Sequence, residues 1–357
     1  MDTRVMIMAA GTGGHVFPGL ATAAELQQRG HEVFWLGTRS GMENRLVPKS
    51  GIELEVIDMK GLRKNGIARL LAAPFQLLRA AWQVFTILRK RKPTVVVGMG
   101  GFVTGPGGVV ARLMGIPLII HEQNAVPGLA NRLLSKIATR VLEAFPGSFE
   151  AEKAALAVGN PVRSDIADIA EPKTRLGNRS GNPRLLIIGG SLGAQALNEH
   201  VPAAVGKLDI EIDIRHQAGR GKAELAEKCY SEAGVNAEIS EFIDDMAAAY
   251  TWADLVICRA GALTISELAA AGIPAILVPY PHAVDDHQTK NASYLSNRGG
   301  AMLMPQGEMD AKSLADQMRG ILSDRKKLME MAIKSRELGV VGADAAVADE
   351  CEKVMPR

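Results

Sequence analysis

Four short segments carry residue types suited to holding a phosphorylated ligand. The first is GTGGHVFPG, Gly11 to Gly19, where glycines follow an apolar run and open a helical pattern. Glycine lets the backbone approach an anion, and a helix N-terminus presents N–H donors and the positive end of its dipole. GGSLGA, Gly189 to Ala194, repeats that arrangement and adds the Ser191 hydroxyl. GMGGFVTGPGG, Gly98 to Gly108, follows another apolar run. The fourth, DLVICRAGALTISELAAAG, runs from Asp254 to Gly272 through a small-residue turn at Ala260 to Leu263 into a helix beginning near Thr264. That start puts Glu267 in a first helical turn, where a carboxylate either complements the dipole or accepts both hydroxyls of a ribose. One glycine turn is an ordinary tight connection; its recurrence in both halves of the chain favours ligand binding.

Proton transfer has fewer candidates. His15, at the start of the helix after the first glycine turn, either accepts a proton near neutral pH or donates a hydrogen bond that holds the loop or a diphosphate. His121 and Glu122 follow an apolar run and form either an acid/base pair or a fastening for the strand end. PHAVDDHQ contains His282, Asp285 and Asp286, which read as a helix N-terminal carboxylate pair rather than as metal ligands. No Asp-x-Asp triplet occurs, so a metal-bridged pyrophosphate is not suggested.

The elements that position these groups alternate from end to end. Strands are expected at Val5 to Ala10, Glu32 to Leu36, Leu54 to Ile57, Thr94 to Val97, Pro117 to Ile120 and Arg140 to Leu142. A second series follows at Arg184 to Ile188, Ile210 to Ile214, Ala237 to Ser240, Leu255 to Cys258, Ala275 to Val278 and Ala301 to Leu303. Their mostly continuous hydrophobicity suits parallel strands covered on both faces. Helical patterns separate them, including Leu20 to Arg29 and the long Ile67 to Arg91, and the tail from Ser313 reads as helix only. The series restarts after GNPVR, Gly159 to Arg163, and the polar run Glu171 to Pro183. The fold class is therefore α/β, with two doubly wound Rossmann-like domains in tandem and ligands expected beyond the carboxyl ends of the strands, in an interdomain cleft. The 357 residues agree with two domains at ~100 to 200 residues each.

A dinucleotide oxidoreductase shares the first glycine turn. Its fingerprint wants an acidic residue at the end of the next strand, whereas VFWL here ends in Gly37, Thr38 and Arg39, and Gly11, Gly13 and Gly14 lack the third glycine in its place. That reading is minor.

Charge is unevenly spread. The net charge of +2 divides at residue 163 into 20 basic and 11 acidic residues before the cut, or +9, and 21 and 28 after it, or −7. No carboxylate lies between Asp58 and Glu122, while Lys60, Arg63, Lys64, Arg69, Arg79, Arg89, Lys90, Arg91, Lys92 and Arg112 do. Such asymmetry points to an anionic surface. No finger or aromatic-interleaved basic motif recommends nucleic acid. Leu70, Leu71, Phe75, Leu78 and Trp82 share one side of the long helix, with Arg69 and Arg79 near its flanks and the cluster Arg89 to Lys92 at its end, a stripe that is either core, the default, or a peripheral contact with an anionic bilayer surface. Three scattered cysteines suggest a reducing cytosol, and neither a signal peptide nor a spanning helix is expected.

Taken together, GTGGHVFPGLA, GGFVTGPGG, HEQN at His121 to Asn124, GNPVR, GGSLGA, FIDDMAAAY at Phe242 to Tyr250 and CRAGALTISELAAAG resemble the MurG family of glycosyltransferases over nearly the whole chain. The resemblance implies a two-domain GT-B fold. Residues 1–163 would form an acceptor- and membrane-facing domain on which the C-terminal helix, 341–357, packs back, and residues 164–340 a UDP-sugar domain. It implies inverting transfer from UDP-N-acetylglucosamine to a muramyl-pentapeptide on undecaprenyl diphosphate, converting lipid I to lipid II, with a UDP-N-acetylglucosamine 2-epimerase on the same fold as the alternative. By the same resemblance Ile243 contacts uracil, Glu267 the ribose, and Ser191 with Arg163 the pyrophosphate. Ala262, Leu263 and Thr264 close on the nucleotide, Gln288 and Asn124 read sugar hydroxyls, and Thr12, Gly13 and Gly14 complete the donor site. His15 is the candidate base or acceptor-positioning group. No cofactor or metal is expected. The partners are the two substrates and an anionic membrane surface at the cytoplasmic face of a bacterial inner membrane, with no nucleic acid. His287 departs from the family pattern, which often has Gln there, and is left out of the site.

Overall fold

The computed structural model describes residues 3–59, 67–177, 179–190 and 193–356, with backbone only for 67–73. The chain divides into two compact units, one of residues 1–163 with 341–357 and the other of 164–340.

Unit 1 runs β1 (Arg4–Met8), α1 (Gly13–Gln28), β2 (Glu32–Thr38), α2 (Glu43–Lys49), β3 (Glu53–Ile57), α3 (Ile67–Arg91), β4 (Val95–Gly98), α4 (Thr104–Leu113), β5 (Leu118–Glu122), α5 (Leu129–Leu134), β6 (Arg140–Glu143) and the short β7 (Leu156–Ala157). The seven strands form one parallel sheet in the order β3-β2-β1-β4-β5-β6-β7. β1, β4 and β5 are almost wholly buried, as their unbroken apolar runs require when helices cover both faces. Each fully buried Val, Leu or Ile side chain contributes about 1.5–3 kcal/mol to that packing. The order reverses between β1 and β4, so the loops that leave these two strands, residues 9–12 and 99–103, lie together at the switch point where open α/β sheets take ligands.

Unit 2 runs α6 (Ser164–Ala167), α7 (Pro172–Gly177), β8 (Arg184–Ile188), α8 (Gln195–Val205), β9 (Asp213–Gln217), α9 (Ala223–Glu232), β10 (Glu238–Ser240), α10 (Met246–Trp252), β11 (Leu255–Cys258), α11 (Ala262–Ala271), β12 (Ala275–Leu277), α12 (His287–Ser296), β13 (Ala301–Leu303), α13 (Ala311–Leu322) and α14 (Arg325–Glu337). Its parallel sheet has the order β10-β9-β8-β11-β12-β13, with the switch point between β8 and β11. The final helix, α15 (Ala343–Val354), returns to unit 1. Val347, Ala348 and Cys351 join the core formed by β1, β4 and α1, and Arg29 pairs with Asp349 at 2.6 Å.

Three expectations need correction. The strand expected at Ile210 to Ile214 is β9, Asp213–Gln217. Leu208, Ile210 and Ile212 pack against the core from the approach to the strand, and the strand continues through the polar His216 and Gln217, which are buried and hydrogen-bonded. His121 and Glu122 do not follow a strand but are the last two residues of β5. The apolar stripe of α3 is not core: Phe75, Leu78 and Trp82 are 76%, 68% and 69% exposed, whereas Ala80, Val84 and Leu88 form the buried face. The helix is apolar on two faces and only one finds a sheet. The side chains of Arg69, Leu70 and Leu71, and residues Lys60, Arg63 and Lys64, lie outside the described residues.

Candidate functional site

In unit 1 the first glycine loop leaves β1 at the sheet's carboxyl edge. Thr12 is the exposed N-cap of α1, in extended conformation, and Gly13 and Gly14 are the first helical residues. Their N–H groups belong to the first turn, which has no intrahelical acceptors. His15 is the third residue of the helix, and its Nδ1 lies 2.9 Å from Oε1 of Gln123, just beyond β5. The loop after β4 comes close because of its glycines. Gly100 and Gly101 have φ of +101° and +87°, and a Cβ would lie 2.6 Å from His15 Nδ1 at the first and 2.4 Å from the Ala10 carbonyl oxygen at the second. These two glycine segments therefore build one surface, the second supporting the first.

Around it stand the other predicted residues of this unit. Asn124 donates through both its backbone N–H and its side-chain amide to Glu122 Oε1, at 3.0 and 3.1 Å. Glu122 Oε2 accepts from Gly128 N–H and Asn131 Nδ2, both at 3.0 Å. This buried carboxylate fastens the 122–131 loop, and the alternative of an acid/base pair with His121 fails because the two side chains face different partners. Arg163 closes the unit, its guanidinium carbon 5.7 Å from the Phe17 ring centroid on α1.

In unit 2, Ile243 is half-buried in the loop between β10 and α10. α11 begins at Ala262 with Gly261 as its extended N-cap, so Ala262, Leu263 and Thr264 are the first helical turn, not the connection before it. Glu267 accordingly lies in the second turn, not the first, and dipole complementarity is not its explanation. It is buried, with Oε2 accepting a 3.0 Å hydrogen bond from the Tyr250 hydroxyl of α10. Behind it, burial and then the nearby Glu267 charge push the Cys258 thiol up to about 12, holding it protonated. Gln288 is the second residue of α12 and accepts at Oε1 from the Tyr280 N–H at 2.9 Å. His287 Nδ1 donates to the Val284 carbonyl at 2.7 Å. Ser191, with Leu192, lies outside the described residues. Its flanks are formed by Gly189, where a Cβ would meet the Gln217 carbonyl oxygen at 2.9 Å, and Gly193, where it would meet that of Ala218 at 2.2 Å.

Polar residues not singled out from the sequence hold both glycine loops. Glu43, wholly buried, accepts from Gly11 N–H at 3.1 Å and from Thr38 N–H and hydroxyl at 2.9 and 2.8 Å. Gln217 brackets Gly190, accepting from its N–H at 3.1 Å and donating to its carbonyl at 3.0 Å. Arg259 donates to the carbonyls of Val278 and Pro279 and to Gln306, fixing the exit of β12 that leads to Gln288. Only Gln123 left a signal, inside HEQN. Among the described residues no group of three or more His, Cys, Asp or Glu side chains is arranged to hold a metal ion.

Residues 5–143 match the glycosyltransferase family 28 N-terminal domain and residues 184–347 its C-terminal domain. The chain is 54% identical over 357 residues, 99% of each chain, to the UDP-N-acetylglucosamine--N-acetylmuramyl-(pentapeptide) pyrophosphoryl-undecaprenol N-acetylglucosamine transferase of Ectopseudomonas mendocina. It superposes on the crystal structure of Acinetobacter baumannii MurG with a TM-score of 0.86 at 45% identity, covering 98% of this chain and 99% of that one. The UDP-GlcNAc 2-epimerase from Neisseria meningitidis, TM-score 0.69 at 12% identity over 98% of this chain and all of that one, shares the fold alone. Both family domains in order, and identity maintained from end to end, place this chain in glycosyltransferase family 28, among its MurG-type N-acetylglucosamine transferases.

Proposed function

We propose that the chain transfers N-acetylglucosamine from UDP-N-acetylglucosamine to the C4 hydroxyl of the N-acetylmuramyl unit of an undecaprenyl-diphosphate-linked muramyl-pentapeptide, with inversion, in peptidoglycan synthesis. The observation that carries this reading is the match, 52% and 54% identical over 99% of this chain, to transferases of that name. The epimerase alternative is not favoured, since its support is a likeness of fold.

In this reading unit 2 binds the donor. Glu267 accepts the ribose hydroxyls, Ile243 lies against the uracil, Ala262 to Thr264 approach the nucleotide with the α11 N-terminus, and Gln288 addresses the sugar. Ser191 and Arg163 serve the pyrophosphate. Thr12, Gly13, Gly14 and Asn124 complete the donor's surroundings. The acceptor oxygen attacks the anomeric carbon as the bond to the UDP oxygen breaks, through an oxocarbenium-like transition state. The hydroxyl proton passes to His15, and the charge left on UDP is met by a fixed cation and aimed N–H dipoles, without a metal.

The acceptor's polyprenyl chain requires work at a bilayer, on the cytoplasmic face of the inner membrane in this reading. No helix among the described residues is long and apolar enough to cross one. The exposed Phe75, Leu78 and Trp82, with the exposed Arg89, Lys90 and Lys92 at the end of the helix, suit a peripheral contact with anionic lipid, worth ~1 kcal/mol per basic residue, whereas Arg79 pairs with Asp58 at 2.7 Å. Arg91 is set apart from this cluster: it pairs with Glu53 and stacks 4.8 Å from the Phe34 ring centroid, so it fastens the sheet edge.

The deciding experiment incubates the protein with UDP-N-acetylglucosamine, with and without the lipid-linked muramyl acceptor, and identifies products. Disaccharide formed only with acceptor supports the transferase; an altered free sugar without acceptor overturns it. Neutralising Arg89, Lys90 and Lys92 together is expected to reduce binding to anionic vesicles, and unchanged binding would sink the membrane assignment.

A further inference from the structure

We infer that Gln123 is a positioning residue whose side-chain amide, oriented by backbone carbonyl oxygens, holds His15 in the Nδ1–H tautomer and so turns Nε2 into the proton acceptor. The carbonyl oxygen of Gly159 can only accept, and His121 Nε2 lies 2.8 Å from it, so Nε2 carries the hydrogen. The His121 ring is wholly buried, and that burial lowers its pKa, keeping the ring neutral and its Nδ1 bare. Gln123 Nε2 lies 3.1 Å from this bare nitrogen and 3.2 Å from the His121 carbonyl oxygen, a second group that can only accept.

Both neighbours therefore demand the NH2 end of the amide. Reversing it would set the amide oxygen against a lone pair and a carbonyl at once. With the NH2 fixed, Oε1 is the atom 2.9 Å from His15 Nδ1, and an oxygen acceptor there requires Nδ1–H. A neutral imidazole has one hydrogen, so Nε2 is left with its lone pair. Gly100 confines the same ring, since its φ of +101° brings backbone to where even a methyl group would collide with Nδ1. A second carbonyl-anchored group thus acts on His15 through Gln123, much as a buried acceptor orients the base of a catalytic triad.

This inference rests on the reading of His15 as the group that takes the acceptor's proton, and it assigns that role to Nε2. A neutral ring with Nδ1–H spent on Gln123 can receive a proton at Nε2 but cannot donate from it to a diphosphate.

The test is long-range proton–nitrogen NMR of the full chain labelled with nitrogen-15 at its seven histidines, above neutral pH, with the His15 signals assigned by their loss in His15→Gln. The expected pattern is a protonated Nδ1 and bare Nε2 for His15, and the reverse for His121; a protonated Nε2 on His15 overturns the inference. Gln123→Met, which removes both ends of the amide, is expected to let His15 populate the other tautomer and to lower kcat roughly 10- to 100-fold with KM for UDP-N-acetylglucosamine little changed. A variant that keeps the wild-type tautomer pattern also overturns it. If His15→Ala retains turnover while the wild-type pattern is as expected, the base assignment fails and the role of Gln123 stands.

Discussion

Glu43 offers the sharpest energetic test of how the first glycine loop is held. Its carboxylate is wholly buried, with Oε1 accepting two donors from Thr38 and Oε2 accepting the Gly11 N–H. The space for it exists because residues 37 and 41 are glycine: a Cβ at Gly41 would lie 1.9 Å from Oε2 and one at Gly37 2.7 Å from Cγ. Glu43→Gln leaves one oxygen, which retains more hydrogen bonds by facing Thr38. The new NH2 then points at the Gly11 N–H, donor against donor. Losing this part-buried hydrogen bond to a charged group costs about 2 kcal/mol. Glu43→Ala strands three donors and costs about 3 to 5 kcal/mol, a large part of the ~5–15 kcal/mol typical of a folded domain. Thr38→Val removes only the hydroxyl bond and costs about 1 kcal/mol, leaving Gly11 held.

The assay is urea unfolding followed by far-ultraviolet circular dichroism, alongside kcat/KM in the transferase reaction. The expected stability order is Thr38→Val above Glu43→Gln above Glu43→Ala. Activity should separate differently, with Thr38→Val close to wild type and Glu43→Gln reduced about tenfold, because only the latter releases the loop that leads into the helix carrying His15. Glu43→Gln with wild-type stability and wild-type kcat/KM would refute the assignment of this carboxylate as the fastening of the loop.

Tyr250→Phe removes the hydroxyl that donates to Glu267 and with it a partner that orients this carboxylate; KM for UDP-N-acetylglucosamine should rise, roughly tenfold, and a defect confined to kcat would contradict the ribose role. His216 is buried between the Tyr230 hydroxyl and Asn198 Oδ1, each at 3.0 Å, and burial lowers its pKa to about 4. The unfolded chain, with a histidine pKa near ~6.5, binds more protons than the folded one between those values. Stability should therefore be level above about pH 6.5 and decline by about 3 kcal/mol as pH falls towards 4, measured as urea midpoints, and His216→Gln should flatten that slope. Turnover is expected to survive a chelator; its complete loss, restored by magnesium, would refute metal-independent transfer.

Much of the scaffold was legible because burial on both faces of a parallel sheet demands unbroken apolar runs. β8 and β11 fall where Arg184 to Ile188 and Leu255 to Cys258 predict them. β9 was misplaced for the complementary reason: its second half is His216 and Gln217, polar residues that a hydropathy pattern assigns to a loop and that burial tolerates only through the partners the fold provides. The stripe on α3 shows the same limit from the other side, since periodicity identifies an apolar face but not whether anything covers it.

The glycine turns, their places after strands and the ordered motifs that mark the family were all set by local sequence, because a positive φ or a close backbone approach needs glycine wherever it occurs. The polar supports were decided by the tertiary structure. Gly11 meets Glu43 across 32 residues and His15 meets Gln123 across 108, and those pairings follow from the sheet order that sets β2 and β4 on either side of β1 and β5 beyond β4. A hydrogen bond depends on distance and direction, and for residues so far apart in the chain the packed sheet is what fixes both.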